Sequence, residues 1–140
     1  MFLQESDFNS HIYEEVRNAI SRDSDTLWLK AQKAAIREAK GYLSKYNLNI
    51  LFGASDDDRD EALVMRTMDL ACWHFLTLSN SGTSLELFKT RYDDAIKDYF
   101  KMIQCGRLVP EGWPPAIDKQ GQEKSFFTSM SSHPRRKNHF

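Results

Sequence analysis

Residues 59–78, RDEALVMRTMDLACWHFLTL, decide how this chain folds. Val64, Met68, Ala71, Phe75 and Leu78 recur at three- and four-residue spacing on one side of a helix, while Leu63, Met65, Leu70 and Leu76 occupy the others. Only Arg66, Asp69 and Thr77 ask for water. A helix this apolar must be enclosed, so it belongs at the centre of a bundle or in an interface with a second subunit.

The flanks agree with that placement. Upstream, Asn47 to Asp60 breaks the periodicity, and Gly53 with Asp56, Asp57 and Asp58 marks a loop; Asp58 and Glu61 stand at capping-box spacing. Downstream, Ser79 to Gly82 reads as a turn, and Thr83 with Glu86 repeats the capping spacing. The next helix then runs to about Cys105 on Leu85, Phe88, Tyr92, Ile96, Tyr99 and Ile103, with Gly106 as its stop and Asp93–Lys97 as an intrahelical pair.

Two earlier segments are helical by the same measure. From Ser24 or Asp25 to about Tyr46, Trp28, Ala31, Ala35, Ile36, Ala39, Tyr42, Leu43 and Tyr46 cover more than half of a helix, leaving Lys30, Lys33, Arg37, Lys40 and Ser44 as a narrow polar stripe. Gly41 inside it predicts close approach by a neighbouring backbone. Before it, Phe8, Ile12, Val16, Ala19 and Ile20 form one face, with Ser6 as the N-cap. The expectation is an all-α domain over residues 1–106, a bundle of four main helices with short connections.

All four prolines, Pro110, Pro114, Pro115 and Pro134, come after that domain. Residues 107–140 therefore read as a long, mostly irregular C-terminal arm. It carries Leu108, Val109, Trp113, Ile117, Phe126, Phe127, Met130 and Phe140, too many apolar side chains for a solvated tail, so they are expected to be buried against the body or a neighbour. The net charge of the chain is -1, but its arm is cationic. Such a near-neutral chain does not advertise nucleic-acid binding.

Several motifs are weighed and set aside. Asp56, Asp58 and Asp60 begin like a calcium loop, but Glu61 stands where the turn glycine belongs and Thr67 where the bidentate Glu belongs. The stripe Lys30, Lys33, Arg37 and Lys40 reads first as a wet face. His74 is five residues from Asp69 and two from Cys72, which suits a hydrogen-bonded core or rim histidine better than a catalytic dyad or metal site. His11 reads as solvated. Cys72 and Cys105 read as small reduced core residues. Nucleophile-elbow, phosphate-loop, zinc-protease and dinucleotide signatures do not occur, so the chain reads as a non-enzyme with no cofactor and no metal. MFLQESDF has no secretory pattern, and no apolar run approaches membrane-spanning length, predicting a cytoplasmic protein without membrane contact.

The ending SSHPRRKNHF is more specific. Pro134 stiffens the backbone before Arg135, Arg136 and Lys137, and Phe140 offers an aromatic anchor. With MFLQESDF, EAKGYLSKYNLNILF, MDLACWHFL and RYDDAIKDYFKMIQCG followed by PEGWPP, it makes the chain resemble the Mu-like phage and prophage head-completion proteins, small helical relatives of the head-to-tail connector (adaptor) family. PEGWPP and His133 depart from the commoner family pattern.

The resemblance implies a structural protein that joins head and tail: a ring subunit that docks on the portal, receives tail proteins and meets packaged DNA only non-specifically. It implies first the host cytoplasm and then the head–tail junction of the virion. Tyr42, Leu43 and Tyr46 match family core positions, Arg91, Tyr92 and Asp93 the fourth-helix motif, and Pro134, Arg135, Arg136, Lys137, Asn138 and His139 the terminal motif. A closed ring needs one patch to dock on a different patch of the next subunit. The candidate partner-binding residues are Trp113, Phe126, Phe127, Pro134, Arg135, Arg136, Lys137, His139 and Phe140. The alternative is a small DNA-binding or regulatory helical protein that uses the Lys30 to Lys40 stripe and the basic tail.

Overall fold

A computed structural model describes residues 2–4, 7, 25–79 and 85–117. The protein is all-α. Its elements are α1 (Asp25–Tyr42), α2 (Leu48–Gly53), a 3-10 turn (Asp56–Asp58), α3 (Glu61–Ser79), α4 (Leu85–Ala95), a π-helical turn (Ile96–Phe100) and α5 (Lys101–Gln104). The helix expected over residues 8–20, with its cap at Ser6 and with His11, lies outside the described residues.

The long apolar helix is central, as its composition demands. In α3, Thr67, Met68, Asp69, Leu70, Ala71 and Cys72 are all buried in succession, and Phe75 and Leu76 continue the core. α1 lies along one side of it and α4 along another. α1 presents Ala31, Ala35 and Ala39, all with no exposed surface, at four-residue spacing; this ridge of small side chains lets the two helices approach closely. Trp28 closes the contact, edge-on to Phe75 at 5.7 Å.

α4, the π turn and α5 form one unbroken rod, because Ala95 and Phe100 at the junctions keep right-handed helical dihedrals. The wider π turn lets two consecutive aromatic residues, Tyr99 and Phe100, both reach the core, where Phe100 stacks on Tyr42 at 6.0 Å. Gly106, at φ +86, ends the rod in the left-handed conformation, and the Arg107 and Leu108 amides donate back to the Met102 carbonyl at 2.9 and 3.0 Å.

Several expectations need correction. α1 stops at Tyr42 rather than Tyr46 because residues 45–47 are taken by another partner: the Asn47 amide donates to the Pro114 carbonyl at 2.8 Å, and the Ala116 amide to the Lys45 carbonyl at 3.0 Å. Tyr46 and Pro115 thus form an antiparallel bridge. The segment expected as loop contains α2, capped by the Asn47 side chain, which accepts from the Ile50 amide at 3.3 Å; Leu51 and Phe52 are buried there. Among the described residues a side chain at Gly41 would meet nothing within 4 Å, so none of them makes the close approach expected at that glycine.

Candidate docking site

Part of the expected arm lies on the body, at Trp113 to Ala116, but Leu108, Val109 and Ile117, expected to be buried, are exposed. Trp113 sits edge-on to Tyr46 at 5.1 Å, and its indole N–H donates to Asp60 Oδ2 at 2.9 Å. Asp60 Oδ1 accepts from the Leu63 amide at 2.9 Å. One carboxylate therefore caps α3 and holds the return segment. The cap is Asp60 and not Asp58, which belongs to the 3-10 turn.

Two clefts flank this acidic loop. One, of about 600 Å³, lies between α2 and the return segment, with Ile50, Trp113 and Pro114 as walls and Asp58 and Glu111 among its lining. The other, of about 430 Å³, has Val64, Met65 and Met68 together with Asp56, Asp57 and Glu61. Its cation, Arg59, is occupied: Nη1 donates to Asp7 Oδ2 and to the Phe2 carbonyl, both at 2.8 Å, and Nη2 to Asp7 Oδ1 at 3.1 Å. That bidentate pair pins the buried Phe2 and Leu3 against the loop.

A polar cluster ties the three long helices together. Glu38 of α1 meets His74 Nε2 of α3 through Oε1 at 2.9 Å and accepts from the Tyr92 hydroxyl of α4 through Oε2 at 2.7 Å. Burial alone would raise the Glu38 carboxyl; hydrogen bonds from His74 and Tyr92 and the charge of His74 outweigh it and hold Glu38 below its usual value. Burial, then the hydrogen bond to Glu38, pushes the Tyr92 phenol well up, so it stays a donor. The arrangement acts as a cross-brace. His74 is the hydrogen-bonded rim residue that its spacing suggests.

Asp69 was expected to face water, but its side chain is 1% exposed and accepts from Arg91 Nε at 2.9 Å. Asp93 pairs with Lys89 at 2.6 Å, in place of the expected Lys97. Lys89 is held there over the Trp73 and Tyr92 rings at 5.6 and 5.4 Å, while Lys97 falls in the π turn. Cys72 is buried but Cys105 is exposed, beyond the last turn of α5.

Of the residues expected to bind partners, Trp113 is described and engaged within its own chain. Phe126, Phe127, Pro134, Arg135, Arg136, Lys137, His139 and Phe140 lie outside the described residues. On the basic stripe, Lys33, Arg37 and Lys40 line an open groove of about 560 Å³, and Lys40 lies over the Phe52 ring at 5.5 Å. Sequence reasoning missed Asp60 and the Asp69–Arg91 pair. An indole N–H needs an acceptor when it packs, which signalled that Trp113 has one without naming it. Nothing in helical periodicity pairs Asp69 with Arg91.

Among the described residues, no group of three or more His, Cys, Asp or Glu side chains is arranged to hold a metal ion, and no helix is long and apolar enough to cross a membrane. The fold and site define an all-α body with a strapped-down return segment and an acidic, two-sided loop. No protein-family model, curated protein or solved structure matches the chain.

Proposed function

We propose that this chain is a structural phage or prophage protein joining head and tail, a ring subunit whose helices make the body and whose C-terminal residues make the contact with portal and neighbouring subunits. The observation that carries this reading is the return segment. Residues 113–116 are held on the body through Trp113, Pro114 and the buried Ala116, whereas Leu108 and Val109 before them and Ile117 after them are exposed. Everything cationic and aromatic in SSHPRRKNHF comes later.

The cut that tests this reading therefore follows Ile117, because a cut at residue 107 also removes Trp113 and the Lys45 and Asn47 hydrogen bonds. The full chain, mixed with a portal from a matching prophage, should give a higher-mass ring assembly by native mass measurement. The chain ending at Ile117 should keep its helical circular dichroism and fail to assemble. Assembly retained by the shortened chain would sink the proposal.

A DNA-binding protein is the second reading, favoured by the groove along Lys33, Arg37 and Lys40. It requires DNA affinity that weakens steeply with salt. Lack of binding at low salt dismisses it.

A further inference from the structure

We propose that the cleft of Val64, Met65 and Met68 receives residues 134–140 of this polypeptide, PRRKNHF. The inference rests on the assembly reading only for which copy supplies the segment.

Charge and shape point to that occupant. Among the described residues Arg59 is the only cation lining the cleft, and Asp7 neutralises it through two hydrogen bonds. Asp56, Asp57 and Glu61, all exposed, leave an acidic rim around an apolar patch in which Met65 is 46% exposed. A thioether that open to water among carboxylates suits an amphipathic cation with an aromatic group nearby. Arg135, Arg136 and Lys137 match the three rim carboxylates in number, and Phe140 supplies the aromatic ring. Guanidinium groups bind carboxylates through paired hydrogen bonds, and Pro134 lowers the conformational freedom lost on docking. The same rim repels a phosphate backbone, which disfavours nucleic acid here. The neighbouring cleft is the poorer receptor, because Trp113 in its wall and Asp60 already satisfy each other. An extended chain of residues 118–133 spans up to about 50 Å from Ile117.

Zero-length carbodiimide coupling of the full chain tests the assignment, since it joins a lysine amine to a carboxylate only when the two touch. Equal parts of ¹⁵N-labelled and unlabelled protein are coupled and digested. The expected product joins Lys137 to Asp56, Asp57 or Glu61 in preference to the other lysines. Mixed-isotope products place the segment in a neighbouring copy and support assembly as well; products of single isotope alone place it in its own copy, keeping the cleft assignment while removing its support for assembly. In R135A/R136A, where Lys137 remains, the yield should fall roughly tenfold if each lost pair contributes about 0.7 kcal/mol. Absence of these products, or an unchanged yield in the double variant, overturns the proposal.

Discussion

The Trp113 indole N–H and the Asp60 carboxylate are 2.9 Å apart, and the second oxygen of that carboxylate caps α3. This relationship couples a proline-rich segment to the central helix, so damage on either side should be felt on the other. In Trp113→Phe the ring on Tyr46 survives and the hydrogen bond is lost, a cost of about 1 kcal/mol. Trp113→Ala removes both and should cost about 2–4 kcal/mol. Asp60→Ala should cost about 1–3 kcal/mol, since the cap and the indole partner disappear together. Urea unfolding of the three variants checks the order, and equal losses for Phe and Ala at position 113 would contradict it.

Glu38 makes stability depend on pH at the acid end. Its folded value lies below its ordinary 4.5, so its contribution is present above about 4.5 and is lost as pH falls through the lower folded value. Glu38→Gln should flatten the acid limb of a melting-temperature profile. An acid limb of unchanged steepness would show that other carboxylates set it.

Tyr92 acts at the opposite end. Its phenol is raised above the ordinary 10.0, so its contribution is complete below pH 10 and declines as pH rises toward the folded value. Tyr92→Phe should shallow the alkaline limb and cost about 1–2 kcal/mol at neutral pH through the lost bond to a charged acceptor. Stability against pH, measured by circular dichroism, reads both effects.

Arg91→Ala should be among the costlier single changes to a charged residue, about 3–5 kcal/mol, because it strips the guanidinium from a carboxylate only 1% exposed. Asp69→Asn in the same background removes the stranded charge. It should recover part of the loss, and a double-mutant cycle by urea unfolding reports the coupling. Additive losses would mean that the pair contributes little.

The thiols should differ in reactivity. Burial, then the nearby Asp69, pushes the Cys72 thiol well up, whereas Cys105 is exposed. A chromogenic disulfide reagent should label Cys105 rapidly in the native protein and Cys72 only after unfolding. Rapid labelling of Cys105→Ser under native conditions would contradict the placement of Cys72.

The packing faces of the long helices were legible from residues a few positions apart. The spacing in RDEALVMRTMDLACWHFLTL required an enclosed helix, the alanines at 31, 35 and 39 marked the packing face of α1, and Gly106 marked the stop after α5. Helical periodicity is a local matter, and so is the glycine's tolerance of positive φ.

What required tertiary structure is every choice made by a partner distant in sequence. α1 ends at Tyr42 because Pro114 and Ala116 claim the backbone beyond it, and Asp60 becomes the cap while Trp113 takes its other oxygen. Asp69, read locally as a solvent-facing acid, is buried because Arg91 on another helix stabilises its charge there. The backbone and carboxylate groups involved have several possible hydrogen-bond partners, and only the packed arrangement of α1, α3, α4 and the return segment selects among them.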